Sequence, residues 1–250
     1  MDVLSSPPPR AERDRHAKRA RVEVDVREFE EKLDRQASAL TANTYFRHLL
    51  EMPMTNEAEA QHILFCYLQC VLHQQGNACT LSVNAEKDDM DILIREGGKT
   101  VAVVVEVKLV DESAARTQTA SHQSAISYGK LQTVSQMLTH DCDTGVLLVA
   151  HPAEKAVFDV HFYYTHSVKV AHGSVYELKE GVQQFKALEM PAFFKRLAKP
   201  EDTCTDTVNL RSDWDAVDAT KHSILEKRIE KGAKPHLQQL WASLLAPPTG

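Results

Sequence analysis

The chain has no run approaching the roughly 18 consecutive apolar residues that a membrane helix requires. Its first ten residues, MDVLSSPPPR, lack the apolar core of a secretory signal. It also lacks a positive balance. With 29 Lys and Arg against 35 Asp and Glu, the formal charge is −6, so no global field draws the protein onto a polyanion, and any such partner must be met at a local patch. The five cysteines, Cys66, Cys70, Cys79, Cys142 and Cys204, are odd in number and form no CxxC pair. That excludes an all-paired disulfide framework and argues against a zinc knuckle, so all five are expected as reduced thiols in an intracellular protein. No internal repeat is present. What remains is a 250-residue chain, 43% hydrophobic and 26% charged, suited to one full-sized core.

Residues 1–25 stand apart, with three consecutive prolines and then a basic stretch poor in large apolar residues. They read as a flexible basic arm. Within it Lys18, Arg19 and Arg21 suit a nuclear-import address or a contact with nucleic acid, against the simpler reading of a solvated charge run. Residues 26–200 carry the pattern of a folded domain, and residues 201–250 that of a loop followed by an amphipathic helix packed on or beside it. Phe29, Leu33, Ala37 and Leu40 recur at helical spacing. A second helix is expected from Thr55 or Asn56, with Glu59 in its first turn and an apolar face from Ile63 to Leu72.

After Gly76 the period changes from helix to strand. CTLSVNAE, MDILIRE and TVAVVVEVKLV read as a meander, the third run apolar on both faces as in a central strand covered on both sides. A helix is expected from about Ser121 to His140, then a buried strand at Gly145–Ala150, then further strands to about Glu180. A helix over Phe185–Lys199, a loop over Asp202–Asp215, and a terminal helix bearing Ile224, Leu225, Ile229, Leu237, Leu240 and Leu244 complete the reading. The core is thus an α/β sandwich of helix, three strands, helix and strand, flanked by N- and C-terminal helices.

Charges inside the Val-rich third strand need an explanation, because an unpaired buried charge is costly. If Gly97 and Gly98 form a two-residue turn, Asp91 faces Val104 and Asp89 faces Glu106, and alternation puts Asp89, Asp91, Glu106 and Lys108 on one face. Two carboxylates at such spacing suit a hard cation. Asp91 and Glu106 are therefore expected to hold Mg²⁺, with Mn²⁺ able to substitute, while Lys108 orients a water or stabilises developing charge during hydrolysis of a phosphodiester. The tripeptide Glu-x-Lys is common by itself and recurs at Glu30-x-Lys32 and Glu177-x-Lys179, the latter with Asp159 upstream. The Glu106 copy is preferred because its strand is the longest buried run and its hairpin supplies the aspartate.

At Asp91 and Glu106-Val107-Lys108 the sequence resembles the PD-(D/E)XK nuclease superfamily. That resemblance implies a restriction-endonuclease-like core over roughly Thr55–Ala150, Mg²⁺-dependent nuclease activity and a nucleic-acid partner, with DNA favoured over RNA. Met90 stands where the family name has proline. Many members add an acidic residue on the first helix, for which Glu57 and Glu59 are available, although helix capping alone explains both. The RecB-like branch carries Gln-xxx-Tyr on the second helix, and Gln123 with Tyr128 is one residue longer. The basic arm is similar to that of eukaryotic members such as Crinkler-like nuclease modules. The competing expectation is a catalytically inactive module of the same fold that binds nucleic acid or a protein partner.

Overall fold

A computed structural model describes residues 79–83, 92–96, 100–109, 120–151, 157–170, 173–186, 196 and 200–247. Its centre is a seven-stranded sheet with strands in sequential order: β1 (Cys79–Val83), β2 (Ile92–Glu96), β3 (Thr100–Leu109), β4 (Thr144–His151), β5 (Val157–Val170), β6 (Gly173–Lys186) and β7 (Asp206–Thr207). Every neighbouring pair is antiparallel except β3 and β4, which run parallel because helix α1 (Ala120–Thr139) crosses between them. The protein is therefore α/β with a mixed sheet. The expected first helix, with the basic arm and Lys18, Arg19, Arg21, Glu57, Glu59, Asp89 and Asp91, lies outside the described residues.

Alternation sorts the central strands into two buried faces. Val105 and Val107 on β3, Val146 and Leu148 on β4, and Phe158, Val160 and Phe162 on β5 form one of them, closed by an edge-to-face contact of Phe162 with Phe185. Val104, Leu147, Val149, Tyr163 and Leu178 point the other way, into the core that includes Leu131, Val134 and Leu138 of α1. The two-sided Val run of β3 is thus covered on both sides.

Helix α1 has its own second covering. Short helices α2 (Pro200–Thr203) and α3 (Arg211–Asp215) lead to α4 (Ala219–Gly232) and α5 (Pro235–Leu244). Leu225, Ile229, Leu237, Leu240, Trp241 and Leu244 from this segment join the same core. All residues from Leu131 to Leu138 are consequently buried, polar ones included. Their hydroxyls bond locally: Thr133 Oγ1 donates to the Gly129 carbonyl at 2.8 Å and Ser135 Oγ to that of Gln132 at 2.9 Å.

Several sequence expectations are corrected here. The β2–β3 turn spans three residues, since Glu96 pairs with Thr100, and a bulge after Arg95–Val101 leaves Ala102 as an extra residue. Val104 therefore faces Leu93 rather than Asp91. The run beginning at Phe185 does not start a helix, because Phe185 and Lys186 complete β6. The segment Asp202–Asp215 holds β7 and α3 rather than loop alone. The single terminal helix is two, separated by the extended Ala233–Lys234 link, with Pro235 at the first turn of α5. Ile224 is exposed, while Leu225 and Ile229 face inward.

Candidate functional site

Glu106 and Lys108 lie in the C-terminal half of β3, on the α1 side of the sheet. Crevices at the carboxyl ends of parallel strands are where open α/β sheets bind ligands. Glu106 is only 1% exposed and Lys108 14%, and their side chains pair at 2.7 Å between Lys108 Nζ and Glu106 Oε1. The other carboxylate oxygen, Oε2, accepts a hydrogen bond from Gln136 Nε2 at 3.2 Å. A buried anion is thereby compensated by one ammonium and one amide donor. Sequence reasoning placed Glu106 and Lys108 on one face, and that holds. It missed Gln136, whose signal was a polar residue among the apolar positions of α1.

The other α1 residues singled out from sequence do not converge on Glu106. Gln123 is exposed. Tyr128 packs against α4, with Lys221 Nζ 4.9 Å from its ring centroid. Asp91 lies outside the described residues, but it precedes Ile92, and Ile92 pairs with Val105, the residue before Glu106. The rival tripeptide is of another kind. Glu177 is 43% exposed, Lys179 pairs with it at 3.3 Å and donates to Thr207 Oγ1, and both lie on the face opposite Asp159. No convergence of those three exists.

A second polar cluster lies two strands away. Glu106 is level with Leu147 on β4, and Leu147 with His161 on β5, all on the α1 face. His161 Nδ1 lies 2.9 Å from Glu180 Oε1, Tyr163 Oη donates to the same oxygen at 3.0 Å, and Lys130 Nζ of α1 is 3.5 Å from it. Burial pushes the Glu180 carboxyl up, but the His161 hydrogen bond, Lys130 and Tyr163 together hold it below the usual carboxylate range. Burial, followed by the charge of Glu180, pushes the Tyr163 phenol well above its ordinary value, so it remains a donor. His161 and His166, five residues apart on β5, lie on opposite faces of the sheet. The carboxylate that holds His161 was not foreseen.

Among the described residues no group of three or more His, Cys, Asp or Glu side chains forms a metal-holding set. Nor is any helix among them long and apolar enough to cross a membrane. No protein-family profile, curated protein or solved structure matches the chain.

Proposed function

We propose that the protein is a Mg²⁺-dependent phosphodiesterase acting on nucleic acid, DNA in preference to RNA, through a PD-(D/E)XK-type site on a restriction-endonuclease-like core. The observation that carries this reading is the buried Glu106–Lys108 pair on the central parallel strand. An ion pair so placed is weak evidence for stability, since a well-packed apolar pair does as well, so a chemical role explains it better. The donor chemistry suits a hard cation provided Asp91 joins Glu106, and the chain proximity of Asp91 to the partner of Val105 favours that. When bound, the metal supplies an acidified water and neutralises phosphate charge. Asp91 and Glu106 would hold it. Lys108 would orient the attacking water or meet charge developing on the phosphate, and Gln136 would fix the Glu106 carboxylate. Glu57 or Glu59, Gln123 and Tyr128 would be accessory. The arm residues Lys18, Arg19 and Arg21 would serve nuclear import or contact the nucleic acid.

One observation favours a second reading, in which the fold only binds nucleic acid or a protein partner. Both Glu106 oxygens already have protein partners, as a purely structural pair would.

Cleavage of plasmid DNA and of RNA by the full chain with Mg²⁺ or Mn²⁺ separates the two. The nuclease reading expects Asp91→Asn and Glu106→Gln each to abolish cleavage, and Lys108→Ala to slow it about 10²–10⁴-fold. Glu177→Gln and Lys179→Ala should be silent. A wild type that binds DNA tightly and cleaves neither polymer establishes the binding module instead.

A further inference from the structure

Side chains on a strand stand roughly perpendicular to the sheet, so the stem of Lys108 on β3 rises toward α1, the helix that covers this face. The helix residue it meets is Gly129. A Cβ there would come within 3.0 Å of Lys108 Cγ and 2.9 Å of Leu147 Cδ1, so the α1 backbone itself rests on the lysine stem and on the leucine of the neighbouring strand. Stopped at Cγ by the helix, the stem turns along its own strand, and its ammonium meets Glu106 Oε1 at 2.7 Å.

Glycine in the interior of a 20-residue helix needs a reason, because alanine is much the better helix former. Close approach to the sheet supplies one. Gln136 lies seven residues further on, two turns along the same face of α1, and donates to Glu106 Oε2 at 3.2 Å. Between them Thr133 returns its hydroxyl to the Gly129 carbonyl at 2.8 Å. One helix face therefore holds both members of the pair, Lys108 by contact at Gly129 and Glu106 through the Gln136 amide.

We propose that Gly129 is a positioning residue for Lys108: its missing side chain lets the α1 backbone turn the lysine stem toward Glu106 and so aims the ammonium at the water or phosphate charge it serves. The assignment rests on the phosphodiesterase reading above and deepens it. A lysine loses much rotamer freedom when its head is held in one place. A stem stopped at Cγ has given up part of that freedom before the reaction begins, which is what a positioned catalytic group requires.

Gly129→Ala tests this in two ways. The added methyl meets the stem of Lys108, whose displacement carries the ammonium away from Glu106. Cleavage of plasmid DNA with Mg²⁺ should slow about 10²-fold with KM for DNA unchanged, the loss expected of about 1 Å of misplacement. In the Lys108→Ala background, which has no Cγ to displace, Gly129→Ala should slow cleavage less than about threefold further. Equal slowing in both backgrounds overturns the proposal and leaves the phosphodiesterase reading in place.

The second arm needs no catalysis. Removing one partner of a buried ion pair is strongly destabilising, so Lys108→Ala should raise the unfolding constant in urea titrations about 10²-fold or more in the otherwise unchanged chain. In the Gly129→Ala background, where the ammonium has already left Glu106, the rise should be less than about tenfold. The same rise in both backgrounds means that the glycine serves only the packing of α1 on Leu147, and overturns the proposal. If Gly129→Ala does not fold, restoration of folding by Lys108→Ala upholds the assignment and any other result overturns it. A wild type that cleaves neither DNA nor RNA removes the phosphodiesterase reading, and the unfolding comparison then decides by itself whether Gly129 positions the pair.

Discussion

Gln136, from the middle of α1, holds the Glu106 carboxylate at 3.2 Å across the helix–sheet interface. Both are buried, so the contact couples the stability of the core to the geometry of the proposed site. Gln136→Leu leaves a buried charge short of a donor and should lower the unfolding free energy by about 1–3 kcal/mol. Glu106→Leu alone should cost about 3–5 kcal/mol, whereas Glu106→Leu with Lys108→Met should be close to neutral. Urea titration of the variants measures each value. A double variant as unstable as the single one would mean that the pair is kept for folding, which weakens the catalytic reading.

Gly181 on β6 lies against the backbone carbonyl of Thr203, the last residue of α2, and a Cβ there would collide with that oxygen. A backbone atom cannot swing aside as a side-chain tip can. Gly181→Ala should therefore shift α2 and destabilise the protein by about 1–3 kcal/mol. Gly145 offers the contrast, because its Cβ would meet the side chain of buried Met137. Gly145→Ala should be partly rescued by Met137→Ala in the same chain, and Gly181→Ala should not. Denaturation midpoints of the four variants check this.

The strands were legible because their signal is local. Val and Leu runs on β3 and β4 marked buried strands, and alternation alone put Glu106 and Lys108 on the same face. Register was not legible, since it depends on a three-residue turn and on the Ala102 bulge, each displacing the pairing by one residue. The two displacements together move the pairing by two residues, which is why Val104 faces Leu93 rather than Asp91. Helix α1 hid its importance for another reason. A helix buried between a sheet and a second helical layer has no single apolar stripe, so nothing in the spacing marks Gln132, Ser135 and Gln136 as buried. The Glu180–His161 contact depends on pairing between two 14-residue strands and on Lys130 from α1, and no local pattern encodes it.

Asp141 ends α1 with φ of 53°, the left-handed region that glycine occupies without cost. The Cys142 amide donates to the Met137 carbonyl at 2.9 Å, closing the turn in a Schellman arrangement. Lys234, at the start of α5, pairs with the Asp141 carboxylate at 2.6 Å, but Lys234 is 57% exposed, so solvent screens the pair and it is worth little. Asp141→Gly should therefore be neutral or mildly stabilising. Asp141→Val should lose about 1–2 kcal/mol, because a β-branched side chain fits this conformation poorly. Thermal melts of both variants give the order, and a Gly variant less stable than Val would show that the ion pair dominates.

Cys142 and Tyr163 are among the buried groups that weaken folding at alkaline pH. Burial pushes the Cys142 thiol from 9.0 up to about 12, against hydrogen bonds that lower it, and pushes the Tyr163 phenol well above 10.0. Both folded pKa values are raised, so the folded protein keeps protons that the unfolded chain releases. Their contribution is fully present below the unfolded values and is lost as pH rises toward the folded ones. For Cys142 the window runs from 9.0 to about 12. Within it one such group gives a slope of up to about 1.4 kcal/mol per pH unit. Glu180 has the opposite sign. Its lowered pKa makes its contribution complete above the ordinary value of 4.5 and lost as pH falls through the lowered one. Urea unfolding across the pH range tests both limbs. Cys142→Ala should flatten the decline above pH 9.0 by one thiol's share, and Glu180→Gln should flatten the acid limb and, by removing the charge that helps raise the Tyr163 phenol, part of the alkaline one. An unchanged alkaline slope in Cys142→Ala would mean that the thiol ionises in the folded protein as readily as in the unfolded chain.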